Sequence, residues 1–284
     1  MCEDCGCNRS ESFHLHTGAA DHFHAHRDAR GRVQVHAHSH EGHHRHGDAH
    51  APEERPGETR DIEVNRSLLE VNDRLAERNR GYFRAKNVTV LNLVSSPGAG
   101  KTALLERTLE AMSGRARMAV IVGDLATEND AERLRGRAAE VVQVSTGTLC
   151  HLDAGMVSAA AESLDLDGID LLFIENVGNL VCPASFDLGE TRRVVLLSVP
   201  EGEDKPFKYP PIFKSADLVL LTKTDLAEAS GFDRDAVLSA VSRVAPQAGL
   251  LEISSRTGSG LEAWFDYLAG LTAASKGEEV CARV

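Results

Sequence analysis

One stretch limits what this chain can become more than any other. Ser95-Ser96-Pro97-Gly98-Ala99-Gly100-Lys101-Thr102 follows the apolar run NVTVLNLV (87–94) and leads straight into a helical segment beginning ALLE. A buried strand, a glycine-bearing loop and a helix N-terminus in that order form a phosphate cradle. The amides of Gly98, Ala99 and Gly100 can curl around phosphate oxygens, and the helix dipole favours the negative charge. Lys101 would reach the β- and γ-phosphates and Thr102 would ligate magnesium through its hydroxyl. The pattern G-x-x-x-x-G-K followed by Ser or Thr has Ser95 at its first position here.

Six further apolar runs continue the alternation of strand, loop and helix: RMAVIVG, EVVQV, DLLFIE, RRVVLLSV, DLVLLT and GLLEIS. Near-continuous Val, Ile and Leu predict strands buried on both faces. The expected fold is α/β, a mostly parallel sheet with helices on both faces, over residues 87–275. Ligands of such folds sit at the C-terminal ends of the strands. There the sequence places Asp124 in VGDLATEND, where it could hold the magnesium shell or orient water. Glu175 in FIENVG would bind the magnesium shell, and the Gly178 amide would meet the γ-phosphate. Thr127 reads equally as a switch residue or as a helix N-cap with Asp130 at the third helical position. DLVLLTKTDLAE ends a strand with Lys223 and Asp225. A carboxylate there accepts from the N1 and N2 hydrogens of guanine, whereas adenine offers no such donor pair, so GTP and GDP are expected rather than ATP. Thr222 stands where the G-protein pattern N-K-x-D has asparagine. Ser255 and Arg256, in ISSRTGSG, fall at a second base loop. The sequence offers no obvious glutamine or arginine finger, so intrinsic hydrolysis is expected to be slow.

A phosphate loop does not need a thiol, yet Cys182 lies seven residues past Glu175, and Cys150-His151 ends the third strand segment. In a parallel sheet both loops emerge at the nucleotide edge. Either these are ordinary buried cysteines with a histidine near a helix start, or they are three ligands of a metal site that lacks the fourth of a closed tetrahedron. A symmetric dimer or water could supply the remainder.

Residues 1–60 differ in kind. They hold Cys2, Cys5, Cys7 and twelve of the thirteen histidines. Large aliphatic residues are scarce, so disorder without metal is expected. Three thiolates in MCEDCGC, with the Cys2 amine if Met1 is removed, can lie nearly in a plane, which suits Ni(II), and the imidazoles suit nickel, zinc or copper. Residues 61–86 carry an apolar stripe and predict a helical lead-in packed on the main domain, while 276–284 read as a flexible tail. The net charge of -12 argues against nucleic acid as a partner. No apolar run reaches the ~20 residues of a membrane span. With no apolar signal core at the N-terminus, the expected location is the cytoplasm, where the cysteines stay reduced.

Together MCEDCGC, SSPGAGKT, TGTLCHLDA and ENVGNLVCPASFDLGE resemble the HypB family, GTPases that help insert nickel into NiFe-hydrogenase. The likeness covers nearly the whole chain. It implies a dimerising P-loop NTPase of the class that includes the urease maturation GTPases. It also implies a tight nickel site at Cys2, Cys5 and Cys7, and a weaker Ni2+ or Zn2+ site at Cys150, His151 and Cys182 on a GTP-favoured homodimer interface. The partners it implies are a HypA-type metallochaperone and the hydrogenase large-subunit precursor, and its histidine tract fits members that store nickel. Two other readings stay open. The chain could chiefly buffer nickel, with nucleotide a structural ligand, or it could be a small-molecule kinase, against which Asp225 and the thiol-bearing loop speak.

Overall fold

The computed structural model of the 284-residue chain describes residues 13–16, 21–27, 33–39, 59–124, 129–138 and 140–275. In chain order these form β1 (Phe13–His16), β2 (Asp21–Arg27), β3 (Val33–Ser39), α1 (Thr59–Ala85), β4 (Thr89–Ser95), α2 (Lys101–Ala111), β5 (Met118–Asp124), α3 (Asn129–Leu134), β6 (Glu140–Ser145), α4 (Ala154–Glu162), β7 (Leu171–Glu175), β8 (Arg192–Ser198), α5 (Lys205–Lys208), α6 (Pro210–Lys214), β9 (Leu218–Thr222), α7 (Ala227–Ser230), α8 (Arg234–Val244), β10 (Gly249–Glu252) and α9 (Leu261–Ser275).

The seven apolar runs are β4 to β10, and every neighbouring pair among them is parallel. Their order is β6-β5-β7-β4-β8-β9-β10. The chain leaves β4 towards one edge, returns to lay β7 beside β4, then builds β8 to β10 on the other side. The loops after β4 and β7 therefore stand next to each other at the reversal point, where open α/β sheets bind ligands.

Alternation along β4 divides the core. Leu91 and Leu93 join α2 and α9 on one face, with Trp264 wholly buried and its indole N–H donating to Thr108 Oγ1 at 2.9 Å. On the other face Val90 packs with α4 and Phe83 of α1, and Val94 with α6 and α8. Asn92, on that same second face, is wholly buried in an otherwise apolar strand, and its hydrogen bonds matter below.

The lead-in helix is the 27-residue α1. Three stretches of the histidine-rich region, to which the sequence reading assigned no regular structure, run as an antiparallel meander joined in parallel to β6 through β3. Its register sets His14, His24 and His36 across from one another, and likewise His16, His22 and His38. The alternation of histidine with other residues has a period of two, which is a strand pattern. The remainder of the expected disordered segment, including Cys2, Cys5 and Cys7, lies outside the described residues, as do Thr127 and 276–284. Among the described residues no helix is long and apolar enough to cross a membrane.

Candidate nucleotide cleft and metal cluster

The loop after β4 is shaped by two positive φ angles, 74° at Gly98 and 103° at Gly100, which only glycine adopts without strain. Gly100 is the N-cap of α2, so the first turn directs its free amides into the loop. A cleft of about 560 Å³ opens there, lined by Gly98, Gly100, Lys101, Thr102, Asp124, Asp130, Arg133, Glu175, Gly178 and Lys223. Another cleft, about 640 Å³, lies by Arg192, Asp217 and Tyr267 at the starts of the strands, away from the edge where such folds take ligands.

Inside the first cleft Lys101 Nζ donates to Ser95 Oγ at 2.9 Å, so the residue standing in place of the first glycine parks the lysine. Burial holds the Lys101 ammonium below its ordinary value, with Glu175 opposing that shift. Thr102 Oγ1 donates to Glu175 Oε1 at 2.6 Å, and Glu175 Oε2 is buried without a partner. Desolvation raises the Glu175 carboxyl to about 7, against the pull of Lys101 and Thr102. A hydroxyl, a carboxylate with an unpaired oxygen and the neighbouring Asp124 make an oxygen donor set that fits a hard divalent cation such as magnesium. Gly178 is required for space: a Cβ there would stand 2.8 Å from Pro97 Cα. The β7 loop thus lies directly against the phosphate loop.

At the base end Lys223 has a left-handed φ of 58°, and Asp225 accepts from Ser254 Oγ at 2.6 Å. The serine that props the acid is therefore Ser254, while Ser255 is half-buried, Arg256 is exposed, and neither lines the cleft. Thr222 has a clear task. Its buried hydroxyl donates to Ala99 O at 2.7 Å and ties the base loop to the phosphate loop. Arg133, which the sequence reading passed over, lies on the cleft wall with its guanidinium held by Glu106 and Asp130. Nothing in NDAERL distinguished it from a solvated helix arginine.

Cys150, His151 and Cys182 come together: one donor atom from each lies within 4.8 Å of the others, and the two sulfurs are 3.0 Å apart. Asp153 caps α4 by accepting from the Met156 amide, and that fixes the approach of the Cys150-His151 segment. Cys182 opens a short 3-10 turn, Cys182–Ser185, with Pro183 as its second residue. The His151 ring rests on Phe186, centroids 4.0 Å apart, with Nδ1 buried and unpartnered. Burial lowers the His151 pKa and favours the neutral, ligating form. The neighbouring Cys150 raises the Cys182 thiol. A free imidazole nitrogen beside two thiols suits a borderline or soft metal ion. Among the described residues this cluster has three ligands, one short of a closed tetrahedron. Leu149 and Val181, each next to a cysteine, are exposed.

Residues 89–252 match the family described as CobW/HypB/UreG, nucleotide-binding domain. The chain is 50% identical over 228 residues to the hydrogenase maturation factor HypB of Escherichia coli (strain K12), covering 80% of this chain and 78% of the relative. The crystal structure of HypB from Helicobacter pylori in complex with nickel is similar at a TM-score of 0.69 and 37% identity, over 75% of this chain and 99% of that one. The crystal structure of the hydrogenase maturation factor HypB from Archaeoglobus fulgidus is similar at a TM-score of 0.67 and 41% identity, over 71% and 98%.

Proposed function

This chain belongs to the CobW/HypB/UreG family, and from that premise we propose that it is a GTP-hydrolysing nickel carrier of hydrogenase maturation whose nucleotide state governs its hold on metal. GTP enters the cleft with its phosphates on the amides of Gly98, Ala99 and Gly100. Lys101 leaves Ser95 for the β- and γ-phosphates. Thr102, Asp124 and Glu175 hold magnesium, which supplies charge neutralisation of the phosphates. Asp124 orients the water that splits GTP into GDP and phosphate. Asp225 selects guanine, Lys223 packs along the base, and Ser255 and Arg256 stand at the rim. Slow turnover suits a switch, and the tying of Arg133 to Glu106 and Asp130 supports it, since no free guanidinium faces the cleft from that helix.

Nickel is the cargo. It is gathered by Cys2, Cys5, Cys7 and the histidine tract, which stores it. Cys150, His151 and Cys182 take Ni2+ or Zn2+. A second copy completes that ligand set in a GTP-favoured homodimer, a reading supported by the exposed Leu149 and Val181 at the edge of the cluster. The onward partners are a HypA-type metallochaperone and the hydrogenase large-subunit precursor, in the cytoplasm. The observation that carries this reading is the single loop from Glu175 to Cys182: one end lies against the phosphate loop and the other bears a ligand of the cluster.

The test titrates nickel and zinc into the protein with GDP and with a non-hydrolysable GTP analogue, following stoichiometry and dimer mass. The expected outcome is a nucleotide-dependent difference that disappears in Cys182→Ser. Equal binding with both nucleotides, indifferent to Cys182, would return the weight to nickel buffering by the N-terminal segment.

A further inference from the structure

Resting on the nucleotide–metal coupling above, we propose that Asn176 is the positioning residue that carries the state of the nucleotide loop to the metal ligands. It follows Glu175, is 2% exposed, and its backbone amide extends the β4–β7 ladder by donating to Leu93 O. Its Oδ1 accepts two backbone amides at once: Val177 N at 3.0 Å and Leu152 N at 3.1 Å. Val177 leads into Gly178, which touches Pro97 of the phosphate loop, and Leu152 immediately follows His151. One oxygen is therefore shared between the nucleotide loop and the metal loop.

The orientation of this side chain is determined by its partners. Backbone N–H groups only donate, so the oxygen must face Leu152 and Val177 and the Nδ2 must face the other way. There it donates to Asn92 Oδ1 at 3.3 Å, and Asn92 Nδ2 donates to Glu190 Oε1 at 3.1 Å. Glu190 accepts in turn from the Leu188 amide and from Arg193, whose Nη2 donates to Phe186 O beneath the ring that carries His151. Donor and acceptor alternate along the whole chain, and its charged end is neutralised by the buried Glu190–Arg193 pair. A buried amide left unsatisfied is costly, so Asn176 cannot follow Val177 without moving Leu152 or giving up a bond. The Cys182 side of the cluster is reached along the loop itself, and Asn176 brings the Cys150-His151 side along with it.

The experiment uses the full chain with Cys2, Cys5, Cys7 and Cys281 changed to serine, so that thiolate-to-nickel absorbance reports Cys150 and Cys182 alone. Nickel(II) ion is titrated against a chelator that buffers it, with GDP and with a non-hydrolysable GTP analogue. A ratio of nickel affinities of about fivefold or more between the two nucleotides is expected, the lower range of ordinary coupling. Asn176 also lines the nucleotide cleft, so the readout is the ratio: in Asn176→Ala it falls to within about twofold of one, whatever change affects both nucleotides alike. A purely structural asparagine would weaken nickel equally with both nucleotides and leave the ratio intact, and that result overturns the proposal. If the parent chain itself shows no ratio, the coupling in the proposed function fails and the role of Asn176 fails with it. Should Asn176→Ala not fold, amide exchange at Leu152 in the unaltered chain decides. Exchange that differs between the two nucleotides supports the link, and identical exchange refutes it.

Discussion

The phosphate loop and the metal cluster lie on the same edge of one sheet but are made in different ways. The first is eight consecutive residues whose shape follows from two glycines and a helix start, with support from single contacts such as Thr222 to Ala99 O. The second joins residues 32 positions apart, Cys150 and Cys182, and local devices such as the Asp153 cap and the Cys182–Ser185 turn shape each loop without bringing the two together. What holds them is a buried polar frame. Beneath the sheet edge runs the chain Asn176, Asn92, Glu190 and Arg193. From α1, Asn72 accepts from Ala154 N and donates to Asp187 O, while Asn79 donates to Ala154 O and Leu188 O. Four asparagines and an ion pair thus perform for the cluster what consecutive sequence performs for the phosphate loop.

If this contrast is right, damage to the frame should unfold the protein and damage to the loop should not. The largest expected effect is Arg193→Leu, which leaves Glu190 buried without its cation and costs about 3–5 kcal/mol. Thermal melting should show it as a drop of roughly 6–20 °C. An unchanged melting temperature would mean the frame is incidental.

Lys101→Ala should do the opposite. Phosphate release from GTP falls on the order of 100–1,000-fold, as when one preorganised donor is removed from a reaction site. Melting of the nucleotide-free protein stays close to the parent, because a buried ammonium held by one serine hydroxyl contributes little net stability.

A proton at Glu175 sharpens the comparison further. Its carboxyl is raised by burial to about 7 in the folded chain, so protons compete with magnesium below that pH. Affinity for magnesium–nucleotide should fall about tenfold per pH unit below 7, and isothermal titration of Glu175→Gln should lose that slope. The sign for stability follows the same linkage. Because the folded value lies above the unfolded one, this group's contribution is fully present below about 4.5 and is lost as pH rises through about 7. Glu175→Gln should remove that decline, as followed by chemical denaturation at a series of pH values.

The smallest effect is Thr222→Val, which removes one neutral hydrogen bond worth about 1 kcal/mol. Guanine nucleotide affinity should weaken about fivefold, with melting nearly unchanged. A larger drop in melting temperature than in affinity would show that the base loop also supports the core.

Much of the fold could be read in advance because its strands are continuous apolar runs, and burial on both faces leaves few other uses for such runs. The sequence also named Lys101, Thr102, Glu175 and Gly178, and these four residues line one cleft. The part Thr222 plays was not legible, because a residue type alone does not say that its hydroxyl reaches Ala99 O. Ser254 was passed over beside Ser255 and Arg256, since residue types in a loop do not say which serine reaches Asp225. Asn92 was hidden within VLNLV, although an amide amid aliphatic residues is the signal that could have exposed it. In the histidine-rich region the histidines of β1 to β3 alternate with a period of two.

By itself the sequence determined much that depends on residues close together in the chain: the strands β4 to β10, the lead-in helix, the phosphate loop and its lysine, and the acid at the end of β7. Local sterics, glycine dihedrals and hydrophobic periodicity act over a few residues and are legible there. Only the tertiary structure decided that Cys150, His151 and Cys182 meet, that α1 clasps both of their loops, and that one asparagine oxygen is shared between nucleotide loop and metal loop. Those facts depend on strand order, which brings β7 back beside β4, and on buried polar groups finding partners about 80 to 115 residues away.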